Sequence, residues 1–371
     1  KTKNALLQAS DGLAPIFYDG VSYEGKPTEI FAWIGVPKHK PGEKVPGIVL
    51  VHGGGGTAFK YWAKLWLDRG YAVIAMDTCG CTPAKINPRN KLPKGVKHKS
   101  GGPVGWGDFK NTGKPAKDQW MYHAVSAVVL ANSLLRSLPG VDPKRVGLTG
   151  ISWGGIISEI VAGVDDRFAF AAPVYGCGFL GEDSYWQETV WKKMNHEDVE
   201  KWLKLWDPSQ YVGLAKMPML FVNGTNDKHF RPGSWQKTYN LVKGDKNISM
   251  HLRMRHAHPP AGDPPEIRTF ADSIVKGEFP LPEVVSQQYS NGVASVTYES
   301  KVPVIKAELL YTTDNGPWRK RRWKNIKANL NREAKQVSAK LPKHVKVYYF
   351  NIIDNRNCIV SSKHNITKES I

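Results

Sequence analysis

A serine between glycines, a loop aspartate and two histidines two residues apart are spaced in this chain as acyl-transfer chemistry requires. Ser152 lies in RVGLTGISWGG (residues 145–155), with Gly150 and Gly154 two positions to either side. An apolar strand precedes it and a helix-compatible run, residues 156–162, follows. The chain must therefore turn sharply at Ser152, and side chains at the flanking glycines would strike the adjoining strand and helix. Such a turn lifts the hydroxyl clear of a sheet. It also places the Trp153 N–H at a helix N-terminus, where an unpaired donor and the helix dipole favour a negative oxygen.

A serine hydroxyl is a weak nucleophile, so it needs a histidine to take its proton and a carboxylate to hold that histidine in one tautomer. Asp227 suits the carboxylate, standing five residues beyond Val222 in the loop NGTND. Asp245 and Asp263 follow no strand end at the right place. For the base there are two candidates in RHAHPP, His256 and His258. His258 is preferred because it follows the small Ala257 at the far point of its loop, and His256 is the alternate. His52 opens a run of four glycines and reads as structural. The backbone N–H groups of Gly54 and Gly55 would join that of Trp153 as oxyanion donors. Losing one such donor costs about 3 kcal/mol in comparable sites. His123, on a predicted helix, reads as a packing or surface residue. No metal or cofactor is expected, since Cys79 and Cys81 are too few for a zinc site and poorly spaced to bridge each other. Buried thiols are the expectation, with one bridge to Cys177 or Cys358 left open.

The positioning elements follow from periodicity. Residues 16–36 alternate apolar and polar, as paired antiparallel edge strands do, with a turn at 24–27. Buried strands are expected at 48–51, 71–76, 168–174, 219–222 and 248–254, and helices at 59–67, from 118 to the Pro139-Gly140 stop, at 234–242 and at 266–276. This strand, turn and helix rhythm predicts an α/β fold with a mostly parallel sheet flanked by helices, whose ligands sit beyond the carboxyl ends of the strands. Two stretches interrupt it, a glycine-, proline- and lysine-rich insertion at 79–117 and a tryptophan-rich one at 175–211. Beyond about residue 282 the chain alternates again, predicting a small antiparallel β-sandwich. The expected organisation is a catalytic domain at 1–282 and an accessory domain at 283–371.

With 371 residues, 41% of them apolar, the chain can bury a substantial core. It has no apolar run long enough for a membrane span. The net charge of +19 is uneven: residues 85–120 hold nine Lys/Arg against two acids, and residues 285–371 hold sixteen against six. The sequons at Asn223, Asn247 and Asn365 read as coincidental, the first two lying in or beside predicted strands.

GISWGG, VHGGGG, NGTND and HAHPP, in that order, resemble the α/β-hydrolase superfamily of serine esterases over about residues 16–280. The nearest branch is the acetyl xylan esterase, dienelactone hydrolase and prolyl-oligopeptidase-like group. VDPKRVGLTGISWGG and YTTDNGPWRKRRW further resemble bacterial, secreted acetyl-xylan-esterase-like proteins with a C-terminal β-domain, and PhoPQ-activated pathogenicity-related proteins. The resemblance implies metal-free hydrolysis of carboxylic esters through an acyl-enzyme. Dienelactone hydrolases proper carry cysteine where this chain has Ser152, which points to an esterase. A secreted or periplasmic location is implied, with a cytoplasmic one as the alternative.

Thirteen tryptophans, four of them at Trp186, Trp191, Trp202 and Trp206, suit stacking on sugar rings as well as core packing. With the basic segments they suggest a small ester or an acetylated, acidic polysaccharide as substrate. Two other readings remain. One is a prolyl-oligopeptidase-like peptidase, for whose propeller the residues before 16 are too few. The other is a non-catalytic polyanion-binding protein working through WRKRRWK (318–324), which reads more simply as a solvated hairpin edge; a nucleic-acid partner is not expected.

Overall fold

A computed structural model of the protein describes residues 2–4, 11–86 and 93–367. The strands β1 (Thr2–Asn4), β2 (Ala14–Asp19) and β3 (Glu29–Gly35) form an antiparallel margin. They lead through β4 (Val45–Val51) into α1 (Lys60–Asp68) and β5 (Ala72–Met76). A hairpin of β6 (Cys81–Ile86) and β7 (Pro93–Lys97) follows, then α2 (Trp120–Arg136) and β8 (Val141–Ile151). The helix α3 (Trp153–Val164) leaves Ser152 and returns through β9 (Phe170–Val174). Two helices, α4 (Tyr185–Thr189) and α5 (His196–Trp206), precede β10 (Met219–Gly224), α6 (Pro232–Leu241) and β11 (Lys246–His251). Last come α7 (His258–Gly262) and α8 (Pro265–Val275).

The nine strands of the main sheet run in the order β1-β2-β3-β5-β4-β8-β9-β10-β11. From β5 to β11 every neighbouring pair is parallel. Parallel strands covered on both faces must be apolar throughout, and AVIAM of β5 and FAAPV of β9 are buried at every position. This arrangement brings the carboxyl ends of β4, β8, β9, β10 and β11 to one edge, where His52, Ser152, Tyr175, Asp227 and His256 lie.

The first insertion is not wholly irregular, because its start pairs as the β6–β7 hairpin; residues 87–92 within it lie outside the described residues. In the second, the four tryptophans are between 1% and 7% exposed. Trp186, Trp191 and Trp202 pack with Phe109 and Trp153, and the Nε1 groups of Trp202 and Trp206 donate to the Gly107 carbonyl and to Gln119 Oε1. These rings are therefore core and not a sugar-stacking surface. Truncating Trp202 would cost about 3–5 kcal/mol. All four cysteines are free, so the bridge left open by the sequence does not form.

Beyond α8 lie two antiparallel sheets, one of four strands and one of five. They enclose a second core, in which Val296 and Val337 face Leu309, Phe350 and Ile352. The other face of the five-stranded sheet lies on the main body. There Leu310, Trp323, Tyr349 and Val360 join the larger core, and Met250 bonds to Tyr349 Oη, Asn351 Nδ2 and Ser361 Oγ. Burial on both faces explains the nearly unbroken apolar run VYYFNIID at Val347–Asp354. Among the described residues, no helix is long and apolar enough to cross a membrane.

Candidate active site

Ser152 takes the strained turn its flanking glycines imply, with φ 61° and ψ −115°. Its own N–H donates to the Val174 carbonyl at 2.9 Å. A Cβ at Gly150 would stand 2.1 Å from the Gly154 carbonyl oxygen, and one at Gly154 would stand 2.1 Å from that of Val51. No side chain fits either gap. Trp153 is the first residue of α3, placing its N–H at the helix start.

Opposite the elbow, the chain turns at residues 53–56 where β4 ends. A Cβ at Gly53 would meet Ser152 Cβ at 3.1 Å, so this turn runs directly beside Ser152. The Gly56 N–H is taken by the Gly53 carbonyl at 3.1 Å, whereas those of Gly54 and Gly55 meet no acceptor among the described residues. His52 is buried beneath. Its Nδ1 bonds the Gly53 carbonyl, and its Nε2 accepts from the Thr78 N–H at 3.0 Å. It is thus the structural residue the sequence suggested.

Asp227 is 1% exposed, and its Oδ1 accepts the N–H groups of His229 and Phe230 at 2.8 Å each. Those two bonds fix the carboxylate so that Oδ2 faces His256 Nδ1 at 2.5 Å. The opposite nitrogen, His256 Nε2, lies 3.0 Å from Ser152 Oγ. His256 therefore carries its proton on Nδ1 and leaves Nε2 to accept from the serine. Tyr175 stacks on this ring at 4.4 Å between centroids, and its hydroxyl donates to the Arg255 carbonyl at 2.7 Å, pinning the residue before the histidine.

This corrects the preference for His258. That residue begins α7, whose following Pro259 and Pro260 suit a first helical turn. The turn directs its ring away from the serine and into Phe59, Tyr61 and Trp62 of the α1 region, 4.1 Å from the Phe59 centroid. Its Nδ1 bonds Tyr61 Oη at 2.5 Å, and its Nε2 is sealed from solvent without a partner. Burial, reinforced by nearby His52, lowers its pKa to about 3. His258 is a wall residue held neutral.

Three further groups went unnoticed in the sequence. Tyr175 could have been found by its place just past β9, beside the elbow; His229 and Asn226 carried no signal beyond their nearness to Asp227. His229 lies 4.6 Å from the His256 ring, and burial together with that neighbour lowers its pKa to about 4. Asp227, His229 and His256 present ligand-type atoms within 4.8 Å of one another. Because Asp227 Oδ2 and His256 Nδ1 bond each other, the hydrogen-bonded chain to Ser152 accounts for that clustering. The cavity in front of Ser152, about 530 Å³, is lined by the 53–56 turn, Phe59, Pro93, Ile151, Arg255, His256 and residues 257–260.

Residues 16–271 match the family described as acetyl xylan esterase. The chain belongs to the acetyl xylan esterase family. Among solved structures, acetyl xylan esterase 1 from a Thermoanaerobacterium species is similar at 20% identity and TM-score 0.53, over 69% of this chain and 82% of that one. An acetyl xylan esterase from a Paenibacillus species is similar at 20% identity and TM-score 0.55, over 74% and 88%. These likenesses bear out the α/β-hydrolase fold. A peptidase of Bacillus subtilis, uncharacterized, is 29% identical over 223 residues. The alignment spans 56% of this chain but only 29% of that relative's length.

Proposed function

We propose that this member of the acetyl xylan esterase family is a serine esterase that removes acetyl groups from a polysaccharide. The observation that carries the proposal is the chain Asp227 Oδ2, His256 Nδ1, His256 Nε2, Ser152 Oγ, at 2.5 and 3.0 Å, at the rim of a cavity. His256 takes the serine proton as Oγ attacks the ester carbonyl. The N–H groups of Trp153 and of Gly54 or Gly55 receive the oxyanion. The proton then passes from His256 to the departing sugar oxygen, leaving acetyl-Ser152. Water, deprotonated by His256, attacks that ester, releases acetate and restores the serine.

We further propose that the sugar polymer is acidic. In support, Arg255 lines the cavity exposed and meets no carboxylate among the described residues, and no acid is among the cavity's lining residues. Nearby Arg231, by contrast, is committed to Asp183 and Glu188. Secretion to the outside or the periplasm, and an accessory role for residues 283–371, belong to the same reading. The test is acetate release from acetylated xylan and from an acetylated uronate polymer, with Ser152→Ala as control. Acetate release that needs Ser152 and is faster on the uronate polymer supports the reading. Equal rates remove the acidic preference, and turnover confined to peptide amides would replace the esterase by a peptidase of the kind named for the Bacillus subtilis relative.

A further inference from the structure

The basic, tryptophan-flanked stretch WRKRRW at residues 318–323 plays no part in the chemistry above. Its backbone nevertheless rests on the two loops that carry Asp227 and His256. Asn226, the residue before the acid, gives its Nδ2 to the carbonyls of Trp318 at 3.1 Å and Arg321 at 2.8 Å. Arg253, three residues before the base, gives its Nη2 to the Trp323 carbonyl at 2.5 Å.

The two loops are also tied to each other at this point. Thr225 Oγ1 donates to Asn226 Oδ1 at 2.9 Å and accepts the Arg253 N–H at 2.9 Å. A Cβ at Gly224 would stand 2.7 Å from the Met254 carbonyl, so the loops touch with no room between. The 318–323 segment is itself anchored. Trp318 is 7% and Trp323 1% exposed, their rings parallel within 15°, and the Arg321 guanidinium lies 3.9 Å from the Trp318 ring centroid. With both indoles buried and its carbonyls turned inward, this stretch is no platform for stacking bases.

We infer that residues 318–323 act as a clasp that positions the catalytic acid and base, with Asn226 and Arg253 as positioning residues. The inference rests on the Ser152–His256–Asp227 reading. A base held a fraction of an ångström off its serine loses rate without losing substrate binding. Asn226 is the sensitive point because it hydrogen-bonds across a junction of 92 to 95 residues in sequence while adjoining Asp227 directly.

The experiment compares Asn226→Ala and Arg253→Ala with the parent in the full chain. It measures kcat and KM on 4-nitrophenyl acetate, and the low-field proton resonance of His256 Nδ1–H, assigned by its loss in His256→Gln. The clasp predicts that Asn226→Ala lowers kcat by about tenfold or more with KM within about threefold, and that it shifts or broadens the resonance, in protein whose melting transition is retained. A kcat within twofold of the parent, or an unmoved resonance, would overturn it. Should Asn226→Ala not fold, Arg253→Ala carries the same test from the other loop. A parent whose activity survives Ser152→Ala would instead remove the serine reading, while the resonance still decides whether 318–323 sets the geometry of the Asp227–His256 pair.

Discussion

Ser152 and its two partners are held in place by different means. On the serine side the backbone does the positioning. A left-handed turn, two glycines without room for a Cβ and an N–H bonded to the neighbouring strand fix the hydroxyl before any side chain is considered. On the side of Asp227 and His256, side-chain contacts carry much of the positioning beside the His229 and Phe230 N–H groups: Tyr175 on the imidazole, Thr225 between the loops, and, from far along the chain, the carbonyls of 318–323 that receive the Asn226 and Arg253 side chains. A backbone device leaves a compact signature in sequence. A side-chain brace assembled from distant segments does not.

Several substitutions sharpen that contrast. Ser152→Ala should have the largest effect, lowering kcat on acetyl esters by about 10⁴-fold or more with the fold intact, as circular dichroism would check. Asp227→Asn keeps the shape of the acid but no longer favours the tautomer with a proton on His256 Nδ1. It should lower kcat by about 10³- to 10⁴-fold in steady-state assays at neutral pH. Gly154→Ala attacks the backbone side instead. Forcing a methyl against the Val51 carbonyl should cost about 3 kcal/mol or more, read by denaturant unfolding as a lost elbow rather than a slower enzyme.

The remaining predicted effect is electrostatic and is felt only in acid. His229 and His258 have pKa values lowered to about 4 and about 3, against an ordinary value near 6.5 in the unfolded chain. Below pH ~6.5 the unfolded chain binds protons that the folded one refuses. Stability should therefore be highest above that pH and fall, by up to about 1.4 kcal/mol per pH unit for each histidine, as pH drops toward 4. Replacing His258 by Gln should flatten the slope of unfolding free energy against pH in that window. An unchanged slope would mean that His258 is not held neutral by its aromatic surroundings.

How far the sequence could be read follows the same division. The parallel sheet, the elbow, the glycine turn and the loop of Asp227 were legible because each rests on local pattern: apolar runs, obligatory glycines, and a carboxylate just past a strand. The choice between His256 and His258 was not legible. It depends on where α7 begins and on Phe59, Tyr61 and Trp62 receiving the second ring, contacts about 200 residues away in the chain. The tryptophans of residues 175–211 stayed ambiguous for a similar reason, since composition does not distinguish a ring facing sugar from one facing Trp153. The basic 318–324 stretch looked like an exposed edge because its cationic side chains are on the surface. Its inward carbonyls, which meet Asn226 and Arg253, have no sequence signature at all.

The most direct test of the account is a paired measurement, kcat/KM of His256→Ala and of His258→Ala on 4-nitrophenyl acetate. The geometry predicts a loss of about 10³-fold or more for His256→Ala and less than about tenfold for His258→Ala. The reverse order would contradict the assignment of His256 as the base and, with it, the hydrogen-bonded chain from Asp227 to Ser152 on which the proposed function stands.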